Sequence, residues 1–401
     1  MTPPPVHLIP ALPSQLAALG DFPFVVLVNV DQREVLAAAR AAGVTVTRER
    51  RTVRLSGSRK LLDIVAAALA ATNSLAAEPL RRALHPASHW IVRKHRLALN
   101  RPQIMGIVNL TEDSFSGDGV GASVSEALGR ASELRRAGAT IIDIGGETAR
   151  ADRPAMEAEV EARLVAPAVQ AMSREGHIVS IDTYKPLVAQ AALEAGAAIV
   201  NDISGLTLGP GAAEQAAKFR AGYVLTYSYS VPKRRPDSPP VYADVVEESL
   251  AWMFERVAQL RAAGLTDGQI AIDPGIAFGK SHDEDLQVLR RLGEFQSLGL
   301  PILLAHSRKN FIGSVTGQPP LARDLETHVA SALAYAQGAR VFRVHDAEGA
   351  RRALEIATAM TTARAGEFKP DGESWPWRAG ASAAHMTKSA SDKTAPRGQR
   401  W

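Results

Sequence analysis

The sequence contains no cysteine, and only 5% of its 401 residues are aromatic. The missing cysteines exclude disulfide bonds and thiolate metal sites, and they leave the cellular compartment unmarked by redox chemistry. The scarcity of aromatic side chains favours helices packed on a sheet over an aromatic-rich β-sandwich. Apolar residues still make up 46% of the chain, which is enough for a sizeable core.

Long apolar runs are missing as well. No uninterrupted stretch reaches the length that spans a bilayer, and residues 1–15 lack the basic and apolar regions of a signal peptide. We therefore expect a soluble cytoplasmic protein with no membrane partner. The formal net charge is only +4. We interpret the Lys- and Arg-rich segment 388–400 as a solvated tail, the alternative being a nucleic-acid contact, and we expect no nucleic-acid partner.

Composition divides the chain into four segments. Residues 1–22 are rich in proline and are expected to be irregular, and residues 364–401 are expected to form a disordered basic tail. Residues 23–100 predict a small α/β domain followed by a linker, because alternating strand patterns flank two short helical patterns. We interpret this domain as a packing or dimerisation appendage. Its basic strand RERRTVR leaves a nucleic-acid or partner platform as the alternative.

Residues 101–363 alternate apolar strands with amphipathic helices, and eight such units predict a (β/α)₈ TIM barrel, so the fold class is α/β. The strands are expected at 104–109, 140–145, 178–181, 198–201, 223–227, 270–273, 302–305 and 340–344. An open, doubly wound sheet is the structural alternative. Its usual sign, a GxGxxG phosphate loop, is absent from the sequence.

Polar side chains follow most of these strands at the point where the strand ends. In a barrel the carboxyl ends of all strands share one rim, where catalysis takes place. One such residue is often only a helix N-cap, but a ring of them predicts an active site. The residues are Asn109, Glu147, Arg150, Asp182, Asn201, Asp202, Tyr227, Asp273, Ser307, Lys309, Arg343 and His345.

This set of residues divides by chemistry. Asn109 and nearby loop oxygens suit Mg²⁺ that shields a diphosphate. The donors suited to phosphate oxygens are Arg150, Lys309, Arg343 and His345. The groups suited to the donor-rich edge of a flat heterocycle are Asp182, Asn201 and Asp273. The division predicts a polar heterocycle that bears a diphosphate, and the sequence contains no HExxH motif, Walker loop or Ser-His-Asp order.

At these same residues the sequence resembles dihydropteroate synthase. Six motifs occur in the family's order between about residues 104 and 360, and together they are highly specific. They are IMGIVNLTEDSFSGDG (104–119), GATIIDIGGETARADRPA (138–155), SIDTYKPLVAQAALEAGAAIVNDISG (180–205), DPGIAFGK (273–280), SRKNFIG (307–313) and RVHD (343–346).

The resemblance implies a transferase that joins 6-hydroxymethyl-7,8-dihydropterin diphosphate to 4-aminobenzoate or a related aromatic amine. Pyrophosphate would leave first, and the amine would attack the resulting pterin methyl cation. The resemblance also implies a role in folate-type cofactor biosynthesis, Mg²⁺ held at Asn109, and a homodimer.

The resemblance further assigns roles to the rim residues. The pterin ring would be held by Asp182, Asn201, Asp273 and Lys309, with the strand-five segment around Tyr227 against it. The diphosphate would be bound by Arg343, His345 and Arg150, and the amine would be framed by Ser307 and the first two loops, including Phe115. Asp182, Asp273, Lys309 and Arg343 are the predicted catalytic residues.

The sequence departs from the family pattern in three places. The second loop reads Thr148-Ala149-Arg150-Ala151 where the family usually has Ser-Thr-Arg-Pro. Residues 225–229 replace a Met-His-Met run, and His306 replaces a smaller residue. The alternatives left open are a ribosylated aminobenzene of methanopterin-type synthesis, a non-catalytic pterin-binding paralogue, and a pterin-dependent methyltransferase barrel. The last would not need the Ser-Arg-Lys and Arg-Val-His motifs, which suit a diphosphate.

Overall fold

The computed structural model describes residues 7–10, 24–28, 30, 32–48, 52–56, 59–110, 123–148, 153–233, 238 and 240–362. The expected basic tail 364–401 lies outside these residues. No helix within the described ranges is long and apolar enough to cross a membrane. The cytoplasmic location stays a prediction.

A small α/β domain comes first in the chain. Its strands form an antiparallel sheet in the order β1-β2-β4-β3. They are His7–Pro10 (β1), Phe24–Val28 (β2), Thr45–Arg48 (β3) and Thr52–Ser56 (β4). The helices of the domain are Gln32–Ala41 (α1), Arg59–Ala71 (α2) and Ala77–Leu84 (α3). Leu55, Leu62 and Leu80 are fully buried in a core of its own, separate from that of the barrel.

Strand β1 corrects one expectation. Residues 1–22 were expected to be irregular, yet His7–Pro10 pairs along its whole length with β2. The pairing is at the edge of the sheet, where a strand that contains proline is tolerated because one of its sides needs no backbone donor.

A hairpin of His89–Val92 (β5) and His95–Ala98 (β6) occupies the segment expected to be a linker. Trp90 is fully buried, and its indole N–H donates to the carbonyl of Gln269 at 2.8 Å. Trp90 and Val92 pack with Met105 and other side chains of the barrel interior. Gln269 directly precedes a barrel strand, so the hairpin covers the N-terminal end of the barrel. The small domain and the barrel belong to one compact unit, Met1–Thr361.

The barrel itself is confirmed. Eight parallel strands close on themselves in sequence order, with the last paired to the first. They are Gln103–Asn109 (β7), Ile141–Gly145 (β8), Val179–Asp182 (β9), Ile199–Asp202 (β10), Gly222–Thr226 (β11), Ile270–Asp273 (β12), Ile302–Ala305 (β13) and Ala339–Val344 (β14). Each expected strand lies within one residue of its observed bounds, because short apolar runs between helical patterns mark buried parallel strands well.

Helices surround these strands. They are Val124–Arg136 (α4), Ala158–Arg174 (α5), Pro186–Ala195 (α6), Gly211–Lys218 (α7), Val245–Ala262 (α8), His282–Arg290 (α9), Asn310–Thr316 (α10), Asp324–Ala336 (α11) and Ala347–Thr362 (α12). The largest buried apolar cluster lies between helices and strands, and a smaller one fills the barrel interior above the hairpin. This packing leaves the carboxyl ends of the strands as the open rim for polar side chains.

Candidate active site

Strand register brings the predicted residues to the same level of the rim. Asp182, the last residue of β9, is level with Asn201 on one side and Gly145 on the other. Asp273 ends β12 level with Thr226 of the neighbouring strand. The register therefore gathers carboxylates and amides from separate motifs around one opening.

Arg343 is the centre of the deepest polar network. Its Nε donates to Asp143 Oδ2 at 2.6 Å, and its Nη2 donates to Asp182 Oδ2 at 2.7 Å. Asn201 Nδ2 also donates to Asp143 Oδ2, at 3.1 Å. From its charge, the sequence predicts that Arg343 binds the diphosphate. The structure instead places its guanidinium among the residues expected to hold the heterocycle.

Two carboxylates share this one guanidinium. Burial raises the pKa of Asp182 to about 7, the Arg343 charge opposes that shift, and Asp143 adds to it. The two carboxylates hold the pKa of Arg343 above its ordinary value, although burial works in the opposite direction. Arg343 is therefore a fixed cation, and when Asp182 is ionised the network carries an excess negative charge that suits a ligand with N–H donors.

Asp143 is a site residue that sequence reasoning missed. It lies in the middle of the apolar strand β8 and is fully buried. Its Oδ1 has no hydrogen-bond partner among the residues that the structure describes. An orphaned buried acceptor is costly unless a ligand satisfies it. The available signal was an acid inside a strand whose other residues are apolar or Gly.

Asp273 is held by a tight turn after β12. Its Oδ1 accepts a hydrogen bond from the N–H of Gly275 at 2.9 Å. Gly275 has φ +70°, and a Cβ there would lie 2.0 Å from the carbonyl oxygen of Tyr227, so only glycine fits. Burial raises the pKa of Asp273, and the charge of Lys309 opposes the shift.

Lys309 reaches across from the loop after β13. Its Nζ donates to the carbonyl of Ile276 at 2.6 Å and lies 4.7 Å from the ring centroid of Phe278. Burial lowers the pKa of Lys309, while the charge of Asp273 raises it. Lys309 and Asp273 thus form the opposite-charge pair on this side of the rim.

Lys280 is the second site residue that sequence reasoning missed, although its motif was recognised. Its Nζ donates to two carbonyls at 3.1 Å each and lies 3.6 Å from the ring centroid of Tyr227. Burial lowers the pKa of Lys280 to about 7. The hydroxyls of Tyr227 and Tyr242 share a hydrogen bond at 3.1 Å. The divergent strand-five segment therefore contributes the aromatic ring of Tyr227, and Lys280 lies against that ring.

Ser307 and His345 come from distant motifs and meet at the rim. Ser307 Oγ lies 2.9 Å from His345 Nδ1, and it also accepts the backbone N–H of His345 at 3.3 Å. Both residues are buried. Hydroxyl and imidazole groups placed together in this way are suited to phosphate oxygens.

Asn109, Phe115 and Arg150 are the remaining predicted residues. Asn109 ends β7 half-buried, next to Gly145 of β8. Phe115 and Arg150 lie outside the described residues. Among the described residues there is no group of three or more His, Asp or Glu side chains able to hold a metal. One amide oxygen fits a Mg²⁺ ion that arrives with its substrate phosphates and keeps several waters, rather than one in a protein cage.

His306, the substitution before the Ser-Arg-Lys motif, is fully buried beneath the rim. Its Nε2 lies 3.0 Å from the carbonyl oxygen of Thr327 and 2.9 Å from Ser331 Oγ. Burial lowers the pKa of His306 from 6.5 to about 4, although the carbonyl contacts oppose the shift. His306 is therefore a neutral imidazole that links the loop after β13 to helix α11 by hydrogen bonds.

We predict that His306 makes the stability of the fold depend on pH. The unfolded chain takes up this proton below about pH 6.5, whereas the folded chain resists it down to about pH 4, so stability is lost as the pH falls through that window. The loss amounts to about 2 kcal/mol between pH 7 and pH 5. Denaturant unfolding at both pH values should show a change that is about 2 kcal/mol less favourable in the wild type than in His306→Gln, because the other titrating groups are common to both proteins. Equal losses in the two proteins would contradict the assignment.

A closed barrel with this buried, charged rim defines an enzyme that holds a flat polar heterocycle. The comparisons with known proteins agree. The family model described as pterin binding enzyme matches residues 105–345. The chain is 36% identical over 269 residues to the dihydropteroate synthase of Escherichia coli K12, which covers 67% of this chain and 95% of that protein. It is 38% identical over 258 residues to that of Bacillus subtilis, covering 64% and 88%.

Solved structures give the same result. A Yersinia pestis dihydropteroate synthase in a sulfonamide drug complex matches with TM-score 0.66 and 35% identity, covering 69% of this chain and all of that one. The Xanthomonas albilineans enzyme in complex with 7,8-dihydropteroate matches with TM-score 0.61 and 33% identity, again covering 69% of this chain and 100% of that chain. The present chain belongs to the dihydropteroate synthase family of pterin-binding enzymes.

Proposed function

We propose that this chain is a transferase that condenses 6-hydroxymethyl-7,8-dihydropterin diphosphate with 4-aminobenzoate or a related aromatic amine and releases pyrophosphate. The observation that carries the proposal is the buried network of Arg343, Asp143, Asp182 and Asn201, with its orphaned acceptor. A network with excess negative charge suits the N–H donors of a pterin. Relatives with structures bound to 7,8-dihydropteroate and to 4-aminobenzoic acid support the same reaction.

In this proposal the pterin end is held from two sides. Asp143, Asp182 and Asn201 face the donor edge of the ring, and Asp273 with Lys309 faces it across the rim. The negative charge of Asp273 offsets the positive charge that develops when the leaving group departs. Holding the ring on both sides fixes the methylene carbon for attack.

The diphosphate end is proposed to lie at His345. Ser307, which the resemblance assigns to the amine side, contacts the His345 imidazole through its hydroxyl, so we propose that it lies where the amine and diphosphate sides meet. Asn109 would hold the Mg²⁺ ion, which supplies positive charge against the departing pyrophosphate. The carbon–oxygen bond to the diphosphate breaks with its electron pair on pyrophosphate. The amine nitrogen then bonds to the methylene carbon and loses a proton. Phe115 is proposed to line the amine side. Arg150 is proposed to help bind the diphosphate, and Tyr227 to lie against the pterin ring.

A panel of amines tests the proposal. With pterin diphosphate and Mg²⁺, we expect pyrophosphate release to depend on 4-aminobenzoate, and we expect a ribosylated aminobenzene to give a lower kcat/KM. The reverse order would assign the chain to methanopterin-type synthesis. Tight binding of pterin diphosphate by calorimetry without release for any amine would instead assign it to the non-catalytic paralogues.

The partner proposed for the whole chain is a second copy. Helix α11 exposes an apolar stripe of Leu325, Val329 and Leu333, spaced at four residues and 72%, 54% and 64% exposed. Such a stripe on one helix face is unusual at a free surface. We infer that α11 takes part in a homodimer interface.

Light scattering after size exclusion tests the dimer. We expect the wild type at twice the 42.7 kDa chain mass and Val329→Glu/Leu333→Glu at the single-chain mass. A buried pair of carboxylates without partners would cost more than the interface gains. Leu75→Glu, at a residue 79% exposed on the small domain, is the control and should stay dimeric. A monomeric wild type would contradict the inference.

A further inference from the structure

Four charged side chains meet beneath the second loop of the barrel, the loop between β8 and α5. They are Glu147, Glu161, Lys185 and Lys233, and we call them the second-loop cluster. Their side chains are 9%, 1%, 12% and 9% exposed, respectively. Such deep burial of four ionisable groups requires close pairing.

Lys185 ties the two ends of the second loop together. Its Nζ donates to Glu147 Oε2 at 2.5 Å, to Glu161 Oε2 at 2.6 Å and to the carbonyl of Met156 at 2.6 Å. Glu147 Oε2 also accepts the backbone N–H of Met156 at 2.7 Å, and Glu147 Oε1 accepts the hydroxyl of Tyr184 at 2.9 Å. The carboxylate of Glu147, near the start of the loop, is therefore bonded to the backbone of Met156 near its end.

Lys233 reaches this cluster from a different loop, the one after β11. Its Nζ donates to the carbonyl of Thr148 and lies 3.7 Å from Glu147 Oε1. Its backbone has φ +65°, a left-handed conformation that residues other than glycine rarely adopt. A conformation of this kind persists only where the surroundings fix it, so the placement of Lys233 is specific.

Lys233 balances the charge of the second-loop cluster. Lys185 alone would face the two carboxylates of Glu147 and Glu161, which leaves one buried negative charge without a cation. Burial raises the pKa of Glu161, and the negative charge of Glu147 adds to that shift. Lys233 supplies the second positive charge on the Glu147 side, at the point where the loop leaves the barrel.

We propose that Lys233 is a positioning residue for the amine half of the site, because it anchors Glu147 and Thr148, the residues from which the second loop starts. The inference rests on the proposed function, in which the first two loops frame the aromatic amine. Lys233 connects the loop after β11 to the second loop by direct contact. Lys233 itself touches no substrate in this proposal.

Lys233→Met tests the role, because methionine keeps the length of the side chain and removes its charge. We expect the KM for 4-aminobenzoate to rise about tenfold, since a small displacement of a substrate-positioning loop is enough for that. The KM for the pterin diphosphate should stay within about twofold, because all of the residues proposed to bind it, apart from Arg150, lie on other elements. Lys233→Arg should recover most of the loss, which a simple packing defect would not allow. Lys94→Met, in the exposed turn of the β5–β6 hairpin, is the matched control.

Amide hydrogen exchange gives a second readout that needs no turnover. The Met156 amide is bonded to Glu147, so we expect it to exchange about tenfold faster in Lys233→Met and at the wild-type rate in Lys94→Met. Unchanged exchange would overturn the inference, as would faster exchange with an unchanged KM for the amine. A wild type that releases no pyrophosphate would contradict the proposed function alone, and the exchange rates would still decide whether Lys233 holds the loop.

Discussion

Replacing Arg343 with methionine should remove about 3 kcal/mol from the free energy of unfolding and should abolish binding of the bare pterin ring. The guanidinium is the only cation within hydrogen-bonding distance of Asp143 and Asp182 among the described residues. Without it, the buried carboxylate of Asp143 and the partly buried carboxylate of Asp182 face each other with no cation bonded to them among the described residues. The same loss misplaces the acceptors for the ring, so stability and ring binding fall together.

Arg340→Met is the matched control for this prediction. Arg340 lies on the same strand, and its guanidinium donates to the carbonyls of Tyr335 and Ala339. Its loss should cost about 1 kcal/mol, as for neutral hydrogen bonds, and should leave ring binding unchanged. Calorimetry with the bare pterin and with its diphosphate separates two assignments of Arg343. If Arg343→Met weakens only the diphosphate, the sequence-based division of the pocket is correct and the network interpretation is wrong.

Asp273→Asn should lower kcat/KM about a thousandfold, or about 4 kcal/mol of transition-state stabilisation, with only a small change in fold stability. Asparagine can still accept the Gly275 N–H, so the turn after β12 is kept. The charge that offsets the developing cation is lost, and one acceptor for the ring becomes a donor. Burial raises the pKa of Asp273, so a neutral side chain avoids a desolvation cost that offsets the lost attraction to Lys309, and we expect only a small change in stability.

Thermal unfolding and steady-state kinetics together check this separation of stability from activity. Asp267→Asn is the control, at the opposite end of the same strand and 53% exposed. We expect it to change kcat/KM by less than about twofold. An Asp273→Asn protein with near wild-type kcat/KM would remove Asp273 from the chemistry.

The barrel and most rim residues could be predicted because both depend on local patterns. Asp182, Asn201 and Asp273 lie at or next to the ends of apolar runs, and in a barrel every such position faces one rim. The strand β1 could not be predicted, because its partner is a separate strand and nothing in its own four residues shows the pairing. Its proline spacing indicated only an irregular chain.

The contacts inside the site depend on long-range register instead. In the sequence, Asp143 is a single acid within an apolar strand. Its partner Arg343 lies on β14, 200 residues further along the chain, so no local pattern shows their contact. Lys233 reaches the second loop through a left-handed backbone turn that no residue pattern shows. Arg343 was assigned to the diphosphate because its charge was visible in the sequence and its carboxylate partners were not. Residue type indicates what a side chain can bind, and only the fold decides which partner it meets.

The most direct test of the account is the stoichiometry of the reaction. The wild-type chain is mixed with pterin diphosphate, Mg²⁺ and 4-aminobenzoate, and pyrophosphate and the coupled product are followed by mass spectrometry. We expect one molecule of 7,8-dihydropteroate for each molecule of pyrophosphate, and no coupled product from Asp273→Asn on the same time scale. Pyrophosphate release without a carbon–nitrogen product, or no release with any amine, would contradict it.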